Sequence, residues 1–236
     1  MSHLPSFSFT ASLLADPARA AMLTTLLDGR ALPAGELAYA AGVTAQTASS
    51  HLAKLLGGGL LSVETEGRHR YYRLAGAHVA QALEQLAAIR PEESVRRKSL
   101  SPEGRRLRFC RCCYDHLAGQ IGVAVTGSLQ ERDYIRAAAD KRFDMTPAGV
   151  AWFGGVGLDV RALKPTRRGL ARQCLDWTER RHHLAGPLGV QFLTLLCAKG
   201  WLRRSKSSRA VEVTPIGWIG LKEQLGVDQT SAALAA

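Results

Sequence analysis

The sequence predicts a mainly α-helical protein with small β-hairpin wings, and three observations predict it. Apolar residues recur at helical spacing from Asp16-Pro17 to about Leu56 and again from Ala77 to Ile89. Two runs rich in Val, Thr, Tyr and Leu flank Gly67-Arg68, as in a hairpin. A segment around His116 returns around His183.

Asp16-Pro17 reads as an N-cap with proline in the first helical turn, and Met22, Leu23, Leu26 and Leu27 then recur at helical spacing until Asp28-Gly29. A second helix starts near Pro33, turns Leu37 and Ala41 inward and stops at Gly42. Thr44 caps a third, Ala45 to about Leu56, which Gly57-Gly58-Gly59 ends. Leu60 to Glu66 and His69 to Leu74 form the hairpin. Ala77 to Ile89 is amphipathic, with Val79, Leu83 and Leu86 on one stripe, suited either to a dimer seam or to packing on its own domain. Helix, short turn, helix and hairpin in this order make a winged helix-turn-helix, which sets its second motif helix in a DNA major groove.

Residues 1–90 therefore form a first domain, and the polar stretch 91–104 a linker. A C-terminal module spans 105–236, with repeats at about 105–165 and 166–226. His116 to Val123 matches His183 to Val190 at an offset of 67, and Phe143 to Gly149 matches Val211 to Gly217 at 68. Each copy reads as helix, strand, basic turn, strand ending in Thr-Pro, and helix, so the copies are tandem winged-helix-like repeats.

The formal net charge of +11 favours a polyanionic partner. Residues 1–89 hold six basic and six acidic side chains, so the whole excess lies from Arg90 onward. Its most basic point is the turn Arg203 to Arg209, an auxiliary phosphate contact or a solvated basic face. No apolar run approaches the ~18 residues of a membrane span, and Met1 to Ser12 lacks a secretory signal, which predicts a cytoplasmic protein.

In the third helix, Val43, Ala48, Leu52 and Leu55 suit the core, leaving Gln46, Thr47, Ser50, His51 and Lys54 outward. Gln pairs bidentately with adenine, Thr and Ser reach base edges or phosphate, and Lys neutralises phosphate. Arg68, His69 and Arg70 at the hairpin tip suit an adjacent minor groove.

Residues 13–88 resemble the ArsR/SmtB class of bacterial regulators. The resemblance rests on Leu14-Ala15-Asp16-Pro17-Ala18-Arg19, on Val43 to Leu52, on Gly59-Leu60-Leu61 and on Gly67-Arg68-His69-Arg70-Tyr71-Tyr72. It implies a homodimeric repressor on a near-palindromic double-stranded operator, relieved by a small effector. It also implies DNA contacts from Gln46, Thr47, Ser49, Ser50 and His51, with Arg68 and Arg70 in the wing; Thr44, Lys54 and His69, beside them in the sequence, complete the expected DNA-binding set. The family's Cys-x-Cys metal site would fall within Ala31 to Leu37, where there is no cysteine. Its alternative Asp/His/His/Glu site would fall on the helix after the wing, which offers only His78 and Glu84. Any sensor is thereby moved to the C-terminal module.

There, Cys110, Cys112, Cys113 and His116 lie within seven residues and suit a soft metal ion. Arg106, Arg108 and Arg111 nearby would lower thiol pKa and make reactive thiolates, a second possibility. A third is that these are packed helix-start residues. Cys174, Trp177 and His183 form a second cluster, and a pseudo-twofold axis between the repeats would bring His116 and His183 to one cavity, with Trp177, Trp152 and Tyr114 as aromatic walls. No phosphate-binding glycine loop, G-x-S-x-G or H-E-x-x-H occurs, so a regulator is expected rather than an enzyme. The alternative is a thiol-dependent enzyme or protein-interaction module fused to a DNA-binding domain.

Overall fold

A computed structural model describes residues 7–89 and 101–230. The chain divides into two compact units, Met1–Leu86 and Ala87–Ala236. Among the described residues no helix is long and apolar enough to cross a membrane.

The first unit is a winged helix-turn-helix. Helix α1 (Ser8–Leu14), which the periodicity did not announce, precedes α2 (Pro17–Thr25). Asp16 accepts from the Arg19 N–H at 2.9 Å and so caps α2. A 3-10 turn, Leu26–Asp28, ends at Gly29 with φ +85°. Then come β1 (Leu32–Pro33), α3 (Ala34–Ala41) and α4 (Ala45–Gly57). The wing is β2 (Leu61–Glu66) and β3 (His69–Leu74), followed by α5 (Ala77–Ile89). The sheet order is β1-β3-β2, so the two-residue β1, also unannounced, covers one edge of the wing. Met22, Leu23, Leu26, Leu37, Ala48, Leu52 and Leu55 fill the core, as their helical spacing requires. On α5, Val79 and Leu83 pack on this core, whereas Leu86 is 52% exposed.

The second unit is built from the repeat. Ser101, assigned to the linker by the sequence, caps α6 (Pro102–Phe109), so helix already begins there; residues 91–100 lie outside the described part. The first copy runs β4 (Arg111–Cys113), β5 (His116–Ala118), α7 (Gly119–Glu131), β6 (Ile135–Ala138), β7 (Arg142–Met145) and α8 (Pro147–Val156). The second runs β8 (Arg172–Leu175), β9 (His182–Ala185), α9 (Gly186–Ala198), β10 (Leu202–Arg204), β11 (Val211–Val213) and α10 (Pro215–Leu225). Each copy thus carries an extra hairpin before its first helix. His-Leu-Ala, expected to start a helix, is a strand in both copies, and the helix begins only at the following glycine.

The copies correspond in detail. Thr146 and Thr214 each cap the final helix, accepting from Gly149 N and Gly217 N at 2.9 Å. A Cβ at Gly149 would lie 2.0 Å from the Tyr134 carbonyl, and one at Gly217 2.0 Å from that of Trp201. Trp152 stacks on Tyr134 at 5.1 Å, while a Cβ at Gly220 would meet the larger Trp201 ring at 2.3 Å. In the second copy the larger ring of Trp201 thus occupies space over a glycine, where the first copy stacks two rings.

The copies also exchange strand edges. On one side β7 pairs with β8, where Phe143 N donates to Ala171 O at 3.1 Å and Gln173 N to Lys141 O at 2.8 Å. On the other, Val211 N donates to Cys110 O at 3.0 Å and Cys112 N to Arg209 O at 2.8 Å. Each N-terminal hairpin is therefore tied to the other copy's wing, and the unit has pseudo-twofold symmetry.

Candidate functional site

In the first unit, the small hydrophobic residues of α4 are drawn inward while its polar ones remain outside. Thr44 accepts from the Thr47 N–H at 3.2 Å and caps the helix. Gln46, Thr47, Ser49, Ser50 and Lys54 are exposed. His51 is placed differently from the expectation of an outward side chain. It is only 14% exposed, its Nδ1 lies 3.4 Å from Arg19 Nη1 and its Nε2 3.9 Å from Asp16 Oδ1. Arg19 in turn donates to Leu13 O at 2.7 Å and Ser12 O at 2.9 Å, satisfying carbonyls at the end of α1. His51 therefore ties α4 to α1 and α2. The reason is that Leu52 and Leu55 rotate that edge of the helix toward the core.

At the wing tip, Gly67 takes φ +59°, which the two-residue turn between Glu66 and His69 needs. Arg68, His69 and Arg70 are exposed there, and the Arg70 guanidinium lies 5.8 Å from the Tyr72 ring. Arg73 is paired with Glu64 across the strands, so the free positive end of the wing is its tip.

In the second unit the candidate ligands converge in a set that sequence order does not reveal. Cys113 faces His116 across β4 and β5, and Cys174 faces His183 across β8 and β9. Facing residues share one side of a hairpin. The four ligand atoms of Cys113, His116, Cys174 and His183 lie within 4.8 Å of one another. The two Nε2 atoms are 3.1 Å apart, and both rings are buried. Each Nδ1 is turned to a carboxylate: that of His116 to Asp115 at 2.5 Å, that of His183 to Asp176 at 3.3 Å, the latter out of line for a full hydrogen bond.

The expected run Cys110, Cys112, Cys113 and His116 is not assembled. Strand alternation turns Cys112 away from Cys113, and both Cys110 and Cys112 join the hydrophobic core. Burial works against the expected reactive thiolates. None of the five cysteines is in a disulfide, and burial pushes Cys110 well up and Cys112 to about 11. A contact with Cys174, together with burial, pushes Cys113 to about 11 against the opposing pull of His116 and His183. Two of the three arginines are ion-paired, Arg108 with Glu179 at 2.8 Å and Arg111 with Asp176 at 2.8 Å.

Asp176, which sequence reading passed over as a site residue, organises this region. Its Oδ1 accepts from Arg111, from Thr178 N and Oγ1, and from Glu179 N; its Oδ2 accepts from Gly119 N. Burial alone would raise its pKa, but His183 and Arg111 hold the carboxyl well below the usual range. Trp177 lies against Arg111, 5.5 Å from its guanidinium. Trp152 instead joins Tyr134, Phe153 and Phe192, so the expected aromatic walls of one cavity are not formed. In the basic turn, Arg203 pairs with Glu212 at 2.7 Å and Arg209 covers the Tyr114 ring at 4.6 Å.

A helix-turn-helix with a cationic wing defines a DNA-binding transcription regulator. Residues 14–64 match a helix-turn-helix domain family. Over 223 residues, 94% of this chain and 98% of the relative, the chain is 44% identical to an uncharacterized HTH-type transcriptional regulator, YdfF of Bacillus subtilis. Over 76 residues, 32% of this chain and 64% of the relative, it is 45% identical to the HTH-type transcriptional regulator CmtR of Mycobacterium tuberculosis. The solved structure of the cadmium metal-sensor CmtR from that organism covers 40% of this chain and 98% of its own, at 36% identity and a TM-score of 0.31. The chain belongs to the HTH-type transcriptional regulators, in a form that shares its C-terminal half with YdfF.

Proposed function

We propose that this protein is a homodimeric repressor that holds a near-palindromic operator and releases it when an effector binds the C-terminal unit. Residues 1–90 read DNA and dimerise, and the C-terminal unit, which the structure describes from Ser101 and α6 onward, senses. One observation carries the reading: Ala48, Leu52 and Leu55 anchor α4 while Gln46, Thr47, Ser49, Ser50 and Lys54 stand exposed beside a basic wing tip. Two such helices in successive major grooves would supply base contacts, with Arg68, His69 and Arg70 on the neighbouring minor groove.

Dimerisation is supported by exposed apolar side chains on the first and last helices of the reader, Phe9 at 61% on α1 and Leu86 at 52% on α5. The C-terminal unit is read as a binding module because its Cys113, His116, Cys174 and His183 side chains converge on one another in a largely buried cluster. A cytoplasmic location, beside the DNA, goes with this function.

The test is selection of DNA from a random library by the full chain, followed by footprinting and sedimentation. A palindromic consensus bound by two chains is expected. A consensus without symmetry, bound by a single chain, would end the dimeric reading. Selection with no sequence preference would remove α4 as a base reader.

A further inference from the structure

We propose that Cys113, His116, Cys174 and His183 form a four-coordinate Cys2His2 site for one Zn2+-type ion, set on the pseudo-twofold axis between the two C-terminal repeats. The proposal deepens the effector reading of this unit and rests on it only for its regulatory meaning.

The argument begins with the hairpins. Each repeat contributes one facing Cys–His pair, Cys113 with His116 and Cys174 with His183, so each brings half a tetrahedron. The halves are pressed together by the opposite helices. A Cβ at Gly122 of α7 would stand 3.7 Å from the His183 Cβ, and one at Gly189 of α9 3.4 Å from the His116 Cβ. Neither glycine tolerates a side chain, since Leu117 O and Leu184 O would lie 2.8 Å and 2.5 Å from those atoms. Helix and hairpin thus approach as closely as the backbone allows, which is what brings the two imidazoles into contact.

The ligand geometry suits the ion. Zinc bonds of ~2.0 Å to nitrogen and ~2.3 Å to sulfur put tetrahedral ligands roughly 3.3–3.8 Å apart. The observed separation of 3.1 Å between the Nε2 atoms, and the 4.8 Å limit for the whole set, are within side-chain adjustment of that. Asp115 lies 2.5 Å from His116 Nδ1 and Asp176 Oδ2 3.3 Å from His183 Nδ1; with a proton on each Nδ1 facing its carboxylate, both Nε2 lone pairs would aim inward, the outer-shell arrangement of metal-bound histidine. Two lone pairs facing each other at this distance are stabilised by a cation between them. Two thiolates then balance a divalent charge inside a buried site. On binding, each thiol gives its proton to solvent as its sulfur–metal bond forms, and no electron moves. With all four positions supplied by the protein and three of the four residues buried, the site is closed to substrate. Its consequence is mechanical, because occupancy locks one repeat to the other.

The experiment uses the full chain, purified under reducing conditions, stripped with chelator and titrated anaerobically with Co2+, then back-titrated with Zn2+. One equivalent of Co2+ with intense tetrahedral visible bands and thiolate charge transfer, bleached by one equivalent of Zn2+, is expected. Cys113→Ser and Cys174→Ser are each expected to abolish that spectrum, while Cys197→Ser on α9 retains it. Asp115→Asn, at an exposed carboxylate that cannot decide folding, is expected to weaken binding about 10- to 100-fold. A chain folded by circular dichroism that gives no tetrahedral spectrum overturns the site. So does a spectrum unchanged in both serine variants, or a native mass two hydrogens light from a Cys113–Cys174 disulfide. Operator affinity is measured in parallel: unaltered affinity with the ion bound would leave the site standing and sink the effector reading alone.

Discussion

Arg111 and Asp176 are ion-paired at 2.8 Å with both side chains essentially excluded from solvent, joining β4 of one repeat to the long turn of the other. Removing one member of a buried pair leaves an uncompensated charge. Arg111→Met is therefore expected to destabilise the second unit by about 3–5 kcal/mol, read by urea unfolding. The same carboxylate makes stability pH-dependent. Its folded pKa lies below the ordinary 3.8, so its contribution is fully present above that value and is lost as pH falls through the folded value. An acid titration of unfolding free energy is expected to decline from pH about 4 downward, with a shallower decline in Arg111→Met.

Base reading by α4 separates from phosphate binding by α4. Gln46→Ala and Ser50→Ala are each expected to cost about 1–3 kcal/mol on the selected DNA and to relax preference at one position per half-site. Lys54→Ala is expected to weaken all sequences alike and to reduce the salt slope of log K by about 1. Undiminished specificity in both polar variants would remove this face from base reading.

His51 offers the contrary expectation. Because it contacts Arg19 and Asp16 and is 14% exposed, His51→Ala is expected to lower thermal stability of the first unit by about 0.5–1.5 kcal/mol while the selected DNA consensus stays the same. A changed consensus would show that the ring reads a base after all.

The repeat makes a paired prediction. Gly149→Ala and Gly217→Ala each place a methyl 2.0 Å from a carbonyl, and each is expected to cost roughly 1–3 kcal/mol or more through forced backbone shifts. Gly127→Ala, in α7 with nothing within 4 Å of the added atom, is expected to stabilise by about 0.5–1 kcal/mol. Thermal melts of the three variants test this together.

What the sequence determined by itself is whatever is local. Asp16 and Thr44 as caps, the inward periodicity of α2 to α4 and the Gly67 turn are settled within a few residues of each site, so the winged helix-turn-helix was legible before any coordinate. The offset of 67 announced the repeat and paired His116 with His183. Tertiary structure alone decided the ligand set. Two residues separate Cys113 from His116 and eight separate Cys174 from His183, so a constant offset could not align the cysteines, and only cross-strand register makes them equivalent. It also decided that Asp176 reaches Arg111 and Gly119 far back in the chain, and that His51 faces Arg19. These choices depend on which elements pack together, and packing is a property of distant segments that no local pattern encodes.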